Sequence, residues 1–234
     1  MFRMRLHRFY TTLSLQEGQQ ITLSDIGLLH QMRSVFRFHL GDTVVLFNGD
    51  GYDYVSEIVS INKSEVVFRV TQGLVNQWKP CVKLTLAVSM IKKDNFEWIV
   101  QKATELGISE IIPLISDRSE KKGWNKERLE KILIEACEQS GRSDIPKIRE
   151  IVNLSEFMVE EKRKILVFHT SGSRLNLDQE WGEEAVVLVG PEGGWSEKEI
   201  ETFREKDFPI VHLPTPVLRA ETAAIVITSL ILVK

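Results

Sequence analysis

Cysteine is scarce in this chain: Cys81 and Cys137 are the only two among 234 residues. They lie far apart and lack metal-ligand spacing. With no signal peptide at the start, this usage points to a reducing, cytoplasmic compartment. Histidine is sparse too. His7, His30, His39, His169 and His212 are scattered and form no HxxEH or HxH pattern, so no zinc or other metal site is expected. Positive charge is lacking too, with a formal net charge of −3. That excludes a broad basic footprint of the kind a general nucleic-acid binder carries, and any such surface must be a local patch. Long apolar runs are missing as well. The longest lies between Ala223 and Val233, too short to span a bilayer, so no membrane partner is expected. No internal repeat or low-complexity segment is visible. What remains is ordinary for a soluble globular protein: 43% hydrophobic and 27% charged residues, enough for a substantial core. The length suits one large domain, or one small plus one medium domain.

The first seventy residues read as β structure. Thr43 to Phe47 is a β-branched apolar run, followed by Asn48-Gly49-Asp50-Gly51. Those residues tolerate the positive φ angles of tight hairpin turns. Tyr54 to Ile61 and Glu65 to Thr71 continue as strands, and short strands with tight turns suggest a small barrel over 1–72. Residues 73–80, with a proline and little periodicity, read as a linker.

From 81 to the end the pattern changes to α/β. Val82, Leu84, Leu86 and Val88 alternate as in a strand. Phe96, Ile99, Val100, Ala103 and Leu106 recur at helical spacing, and Gly107 ends that helix. Ile111 to Ile115 predicts a strand, and Leu129 to Ala136 a helix ending near Gly141. Ile165 to Phe168, Ala185 to Val189 and Ile210 to Leu213 predict further strands. Ser196 and Glu199 form a capping box that opens a helix, and a closing helix starts at Ala220. Alternation of this kind predicts a mostly parallel sheet.

Two stretches stand out chemically. Gly190-Pro191-Glu192-Gly193-Gly194 sits between a buried strand and a capped helix. Its glycines let the backbone approach a ligand closely, at the carboxyl end of a strand where such sheets bind ligands. It is neither a dinucleotide fingerprint nor a P-loop. A plain tight turn is the alternative. Leu213-Pro214-Thr215-Pro216-Val217-Leu218-Arg219 then leads into Ala220-Glu221-Thr222-Ala223. Prolines stiffen this loop and remove backbone donors. Arg219 stands at the unfavourable end of a helix dipole, which suggests another task. A surface salt bridge is the alternative there.

Taken together, these two stretches resemble the SPOUT superfamily, and within it the RsmE-type 16S rRNA uridine-N3 methyltransferases. The segments Met4–Tyr10, His30–Arg37, Gly41-Asp42, Leu46–Gly51, Lys93-Asp94, Gln101–Gly107 and Glu138–Arg142 fit the same family. The resemblance covers nearly the whole chain. One departure is plain: Pro214 stands where the family has glycine, and Pro216 where it has a basic residue.

The resemblance implies a trefoil-knotted C-terminal methyltransferase domain and a small N-terminal PUA-like β-barrel that binds RNA. It implies S-adenosylmethionine (SAM) as the cofactor. The residues it points to are His169, Thr170 and Ser171 on one strand end, then Leu188, Val189, Gly190, Glu192, Gly193 and Gly194, then Leu213, Val217, Leu218 and Thr222. Arg219 and Glu221 are the implied catalytic pair. The candidates for RNA phosphates are Arg5, Arg8, Arg33, Arg37, Lys92 and Lys93. The partner would be 16S rRNA in the assembled small subunit. A homodimer is also implied, with the apolar face of Ile225, Ile227, Leu230 and Ile231 as its candidate surface; plain core packing is the alternative for each of these residues. Two other readings remain open on the residues alone. One is a non-catalytic RNA-binding protein that keeps the fold. The other is a small-molecule α/β enzyme using the glycine loop for phosphate.

Overall fold

The computed structural model describes residues 6–120, 124–176 and 181–233. The chain divides into two compact units. The first comprises Met1–Trp78 together with Cys137–Ile145, and the second Lys79–Ala136 with Pro146–Lys234.

The first unit is built on five strands: β1 (Arg8–Tyr10), β2 (Gln20–Leu23), β3 (Thr43–Phe47), β4 (Tyr52–Ile61) and β5 (Val66–Val75). Their order is β1-β3-β4-β5-β2, antiparallel except for the parallel β1–β3 pair. The β3–β4 connection is the expected glycine turn, with Gly49 at φ 94° and Gly51 at φ 88°. Register shifts between Val55 and Ser56 and between Ile58 and Ser60 bend the long β4–β5 ribbon. The small barrel expected here takes the form of a curled five-stranded sheet. Among the described residues no strand pairing joins β1 to β2. β5 continues to Val75, three residues into the stretch read as linker, because its antiparallel pairing with β4 persists to Tyr52↔Val75. Helix α1 (Ile26–His30) and a π-helical turn over Gln31–Val35 were not foreseen. They plug the sheet with Leu29 and Met32, which join Phe9, Ile21, Leu46, Ile58 and Phe68 in one core.

In the second unit the strands are β6 (Lys83–Ser89), β7 (Glu110–Ile115), β8 (Lys147–Ile148), β9 (Val152–Asn153), β10 (Ile165–Arg174), β11 (Glu184–Val189) and β12 (Ile210–His212). The helices are α2 (Lys93–Leu106), α3 (Lys126–Ser140, in this unit as far as Ala136), α4 (Leu154–Glu160), α5 (Glu197–Glu205) and α6 (Ala220–Leu232). The sheet order is β12-β10-β11-β6-β7-β8, with β9 also on β7, and every pair is parallel. The central strands β6 and β11 are buried almost throughout. That is why they read as near-continuous apolar runs, as strands covered on both faces do. α2 ends at Gly107 in the left-handed conformation, φ 103°. α5 opens with a complete capping box. α6 packs on α2, and its Ile227 and Ile231 are fully buried in the unit's own core. For these two the core-packing reading holds, while Ile225 and Leu230 are partly exposed. No described helix is long and apolar enough to cross a membrane.

Candidate functional site

A bulge within β10 and the loops after β11 and β12 enclose a cavity of about 730 Å³. That lies within the range of small-molecule sites, roughly 300–1,000 Å³.

The first wall comes from β10. Phe168 pairs with Val211, and five residues later Ser173 pairs with Val211 again. The intervening chain must therefore bulge out of the sheet. Gly172 makes this possible, because a β-carbon there would lie 2.5 Å from the main chain of Ile210 and Val211. His169 and Thr170 on the bulge line the cavity. Ser171 does not line it, and its hydroxyl instead meets His169 Nδ1 at 2.8 Å and orients the ring. Burial lowers the His169 pKa from its ordinary value, and the charge of Arg204 adds to that shift. Both effects favour the uncharged ring.

The second wall is the glycine loop after β11. Gly190 faces the Trp195 ring, where a β-carbon would come within 3.1 Å of Cε2. The buried Trp195 donates its indole N–H to the Phe168 carbonyl at 3.1 Å, tying the loop to β10. Gly194 takes φ 67° and closes a turn onto the Pro191 carbonyl at 2.8 Å. Immediately beyond, Ser196 Oγ accepts from Glu199 N–H and Glu199 Oε2 accepts from Ser196 N–H, at 3.2 and 2.7 Å. Such a cap contributes about 1 kcal/mol and fixes where α5 begins.

The third wall is the proline loop after β12. Leu213, Thr215, Pro216, Val217, Leu218 and Arg219 line the cavity, with Ala220, Ala223 and Ile227 of α6 behind them. Arg219 is the N-cap residue of α6 but makes no capping bond, and its side chain is 83% exposed. Its Nη1 lies 4.0 Å from Glu221 Oε1. Glu221 is buried, and its Oε2 has no hydrogen-bond partner among the described residues.

The cavity thus gathers eleven residues read from the sequence: His169, Thr170, Val189, Gly190, Glu192, Gly193, Gly194, Leu213, Val217, Leu218 and Arg219. Leu188, Thr222 and Glu221 fall outside its lining. Leu188 is fully buried because its side chain points into the sheet core. Phe168, Trp195 and His212 line it without having been foreseen. Trp195 was the most findable, as an aromatic closing a glycine loop.

The six basic residues fare differently. Arg5 lies outside the described residues. Arg8 is corrected: its side chain is only 7% exposed and pairs with Asp53 at 2.8 Å, so it is not free for a phosphate. Burial pushes the Asp53 pKa up, but hydrogen bonds from Arg8, Ser143 and Asn76, with the charge of Arg8, outweigh it and hold the carboxyl below its ordinary value. This network ties Cys137–Ile145 into the first unit, since Asn76 also donates to Gly141 O at 2.9 Å. Arg33 and Arg37 are exposed, Arg37 with an unusual positive φ of 56°. Lys92 and Lys93 are exposed in the second unit, Lys93 facing Glu97 at 3.7 Å.

Residues 77–232 match the model of the RNA methyltransferase domain family, and residues 32–71 that of the RNA methyltransferase PUA domain. The ribosomal RNA small subunit methyltransferase E of Rickettsia conorii is 34% identical over 95% of this chain and 93% of its own length. The Bacillus subtilis protein of that name is 29% identical over 93% of each. The structure of the Neisseria gonorrhoeae enzyme of that name, bound to S-adenosyl methionine, superposes with a TM-score of 0.88 at 27% identity over 96% of both chains. A Legionella pneumophila protein solved with bound SAM gives 0.86 at 32% identity over 97% of both. A family model that spans the second unit, and relatives alike along nearly the whole length, lead to one conclusion: this chain belongs to the RNA methyltransferase family, among the ribosomal RNA small subunit methyltransferases E.

Proposed function

We propose that this protein transfers a methyl group from SAM to N3 of one uridine in 16S ribosomal RNA. The observation that carries this reading is the three-walled cavity of the second unit, with Arg219 at its edge. The fit to SAM rests on the cavity itself. Its volume is adequate, its glycines bring main chain to the surface, and its neutral His169 offers no charge against a cationic ligand. The proline loop presents main-chain groups that suit an adenine edge.

Bound there, SAM supplies an activated sulfonium methyl. The protein's own task is alignment and charge stabilisation. N3 of uridine carries a proton at neutral pH, so negative charge develops on the base as that proton leaves. Arg219, exposed and free of capping duty, stabilises that charge. Glu221, 4.0 Å away and held by burial, orients the guanidinium or takes the proton. N3 lies on the Watson–Crick edge, so the target base must be unpaired or flipped out. The first unit serves as the RNA-docking PUA-like domain, with Arg33 and Arg37 on phosphates, and Lys92 and Lys93 contribute from the second. The substrate is the assembled small subunit in the cytoplasm, the knot holds the cofactor loops, and the enzyme is a homodimer.

Titration calorimetry tests the site. One SAM per chain with micromolar or tighter affinity, and none of that affinity for ATP, is expected. ATP binding without SAM binding would favour the phosphate-binding alternative. Binding of neither would favour a non-catalytic RNA-binding protein.

A further inference from the structure

The glycine loop is held from outside the cavity by a neighbouring segment, Ser116–Ser119, which follows β7. Arg118 Nη1 donates to the carbonyls of Gly193 at 2.8 Å and of Trp195 at 3.4 Å. Its aliphatic stem lies along Gly193, where a β-carbon would sit 3.4 Å from Arg118 Cδ and 3.5 Å from its Cβ. The adjacent residue makes a second tie. Asp117 N–H donates to Glu199 Oε1 at 2.8 Å, and Ser196 Oγ donates to Asp117 Oδ2 at 2.6 Å. The segment is itself braced: Ser116 N–H donates to Ser119 Oγ, and Ser116 Oγ to Ser89 Oγ. Among the described residues the Arg118 guanidinium meets no carboxylate. Arg118 does not line the cavity, whereas Gly193 and Trp195 do.

We propose that Arg118 is a positioning residue for the methyl-donor site, acting through the main chain of the glycine loop. A guanidinium stays charged at any working pH, and charge-assisted bonds to carbonyls are stronger than neutral ones. Two carbonyls fixed outward leave the loop with less freedom to lose when a ligand enters, which favours binding without touching the reacting atoms. The inference rests on reading the cavity as the SAM site.

The test compares wild type with Arg118→Ala, Arg118→Met and Arg118→Lys, by SAM calorimetry, thermal melting and steady-state kinetics. Methionine keeps the stem over Gly193 and removes the donors, so it serves if the alanine variant does not fold. The expected result is a SAM Kd raised about tenfold or more, the equivalent of ~1.4 kcal/mol. The KM for RNA, and kcat at saturating SAM, stay near wild type. Lysine recovers only part of the loss, because an ammonium is a single point donor. Unchanged SAM affinity in Arg118→Met, with wild type binding normally, overturns the inference. So does a parallel fall of SAM affinity, RNA affinity, kcat and melting temperature, which marks a merely structural role. Wild type that binds no SAM removes the underlying reading, and the inference falls with it.

Discussion

Two of the loops that line the cavity are held in different ways. The glycine loop is tied from several sides: by Trp195 to β10, by Arg118 and Asp117 to the segment after β7, and by the capping box to α5. Among the described residues the proline loop makes almost no such ties. Its hydrogen bonds are local, Thr215 N–H to Leu213 O at 2.8 Å and Thr215 Oγ to Pro216 O at 3.0 Å. Pro214, Thr215, Pro216 and Val217 are all exposed. Its stiffness must come from the two pyrrolidine rings, which fix φ covalently and need no partner. One wall is preorganised by contacts and the other by its own covalent geometry. The departures Pro214 and Pro216 thus need not weaken the site, since they replace flexibility with constraint.

The largest effect expected is at the end of the proline loop. Arg219→Ala should lower kcat by about 100- to 1,000-fold, as removal of one charge-stabilising donor does elsewhere. Because its side chain is 83% exposed, the melting temperature should not move. A stability loss of the same variant would show that Arg219 braces the loop. Next comes the tie between walls. Trp195→Phe keeps a ring where Trp195 packs edge-on to Phe203 at 5.2 Å, but leaves the Phe168 carbonyl without its donor. The cost should be about 1–3 kcal/mol. In a chain of this size that lowers the melting temperature by roughly 2–4 °C per kcal/mol. SAM affinity should fall with it.

Loosening the other wall should cost less. Pro216→Gly releases backbone freedom that proline removes, worth about 0.4–1 kcal/mol, so the SAM Kd should rise about two- to fivefold with kcat preserved. An unchanged Kd would mean that the ring contributes nothing to preorganisation. The smallest effect concerns pH. The folded protein favours neutral His169, so its contribution to stability is complete above the unfolded value of about 6.5 and is lost as the pH falls below it. A protonated ring would also oppose the sulfonium. SAM affinity should be level above the ordinary histidine value of about 6.5 and weaken only as the pH falls below it. In His169→Gln that decline should be absent.

Much of this was legible in the residues. The turn at Asn48–Gly51, the Gly107 cap and the Ser196–Glu199 box each carry a local physical requirement, so the sequence announces them. The glycine and proline loops were visible for the same reason. Long-range features were not. The bulge over His169–Gly172 depends on the pairing of β10 with β12, forty residues away in sequence. Arg118 reaches its carbonyls across 75 residues. Arg8 reads as a surface cation until Asp53, 45 residues on, is seen beside it. Helix α1 and the π-helical turn carry too few periodic apolar residues to signal themselves, and are held by packing of Leu29 and Met32.

The most direct measurement is methyl transfer itself. Small ribosomal subunits from cells lacking this activity would be incubated with the protein and SAM labelled on its methyl group. Their 16S rRNA would then be digested to nucleosides. The predicted result is label in 3-methyluridine, close to one methyl per subunit, and none with Arg219→Ala on the same timescale. Label in another nucleoside would contradict the N3 assignment, and absence of transfer from a SAM-binding protein would contradict the catalytic reading of the cavity.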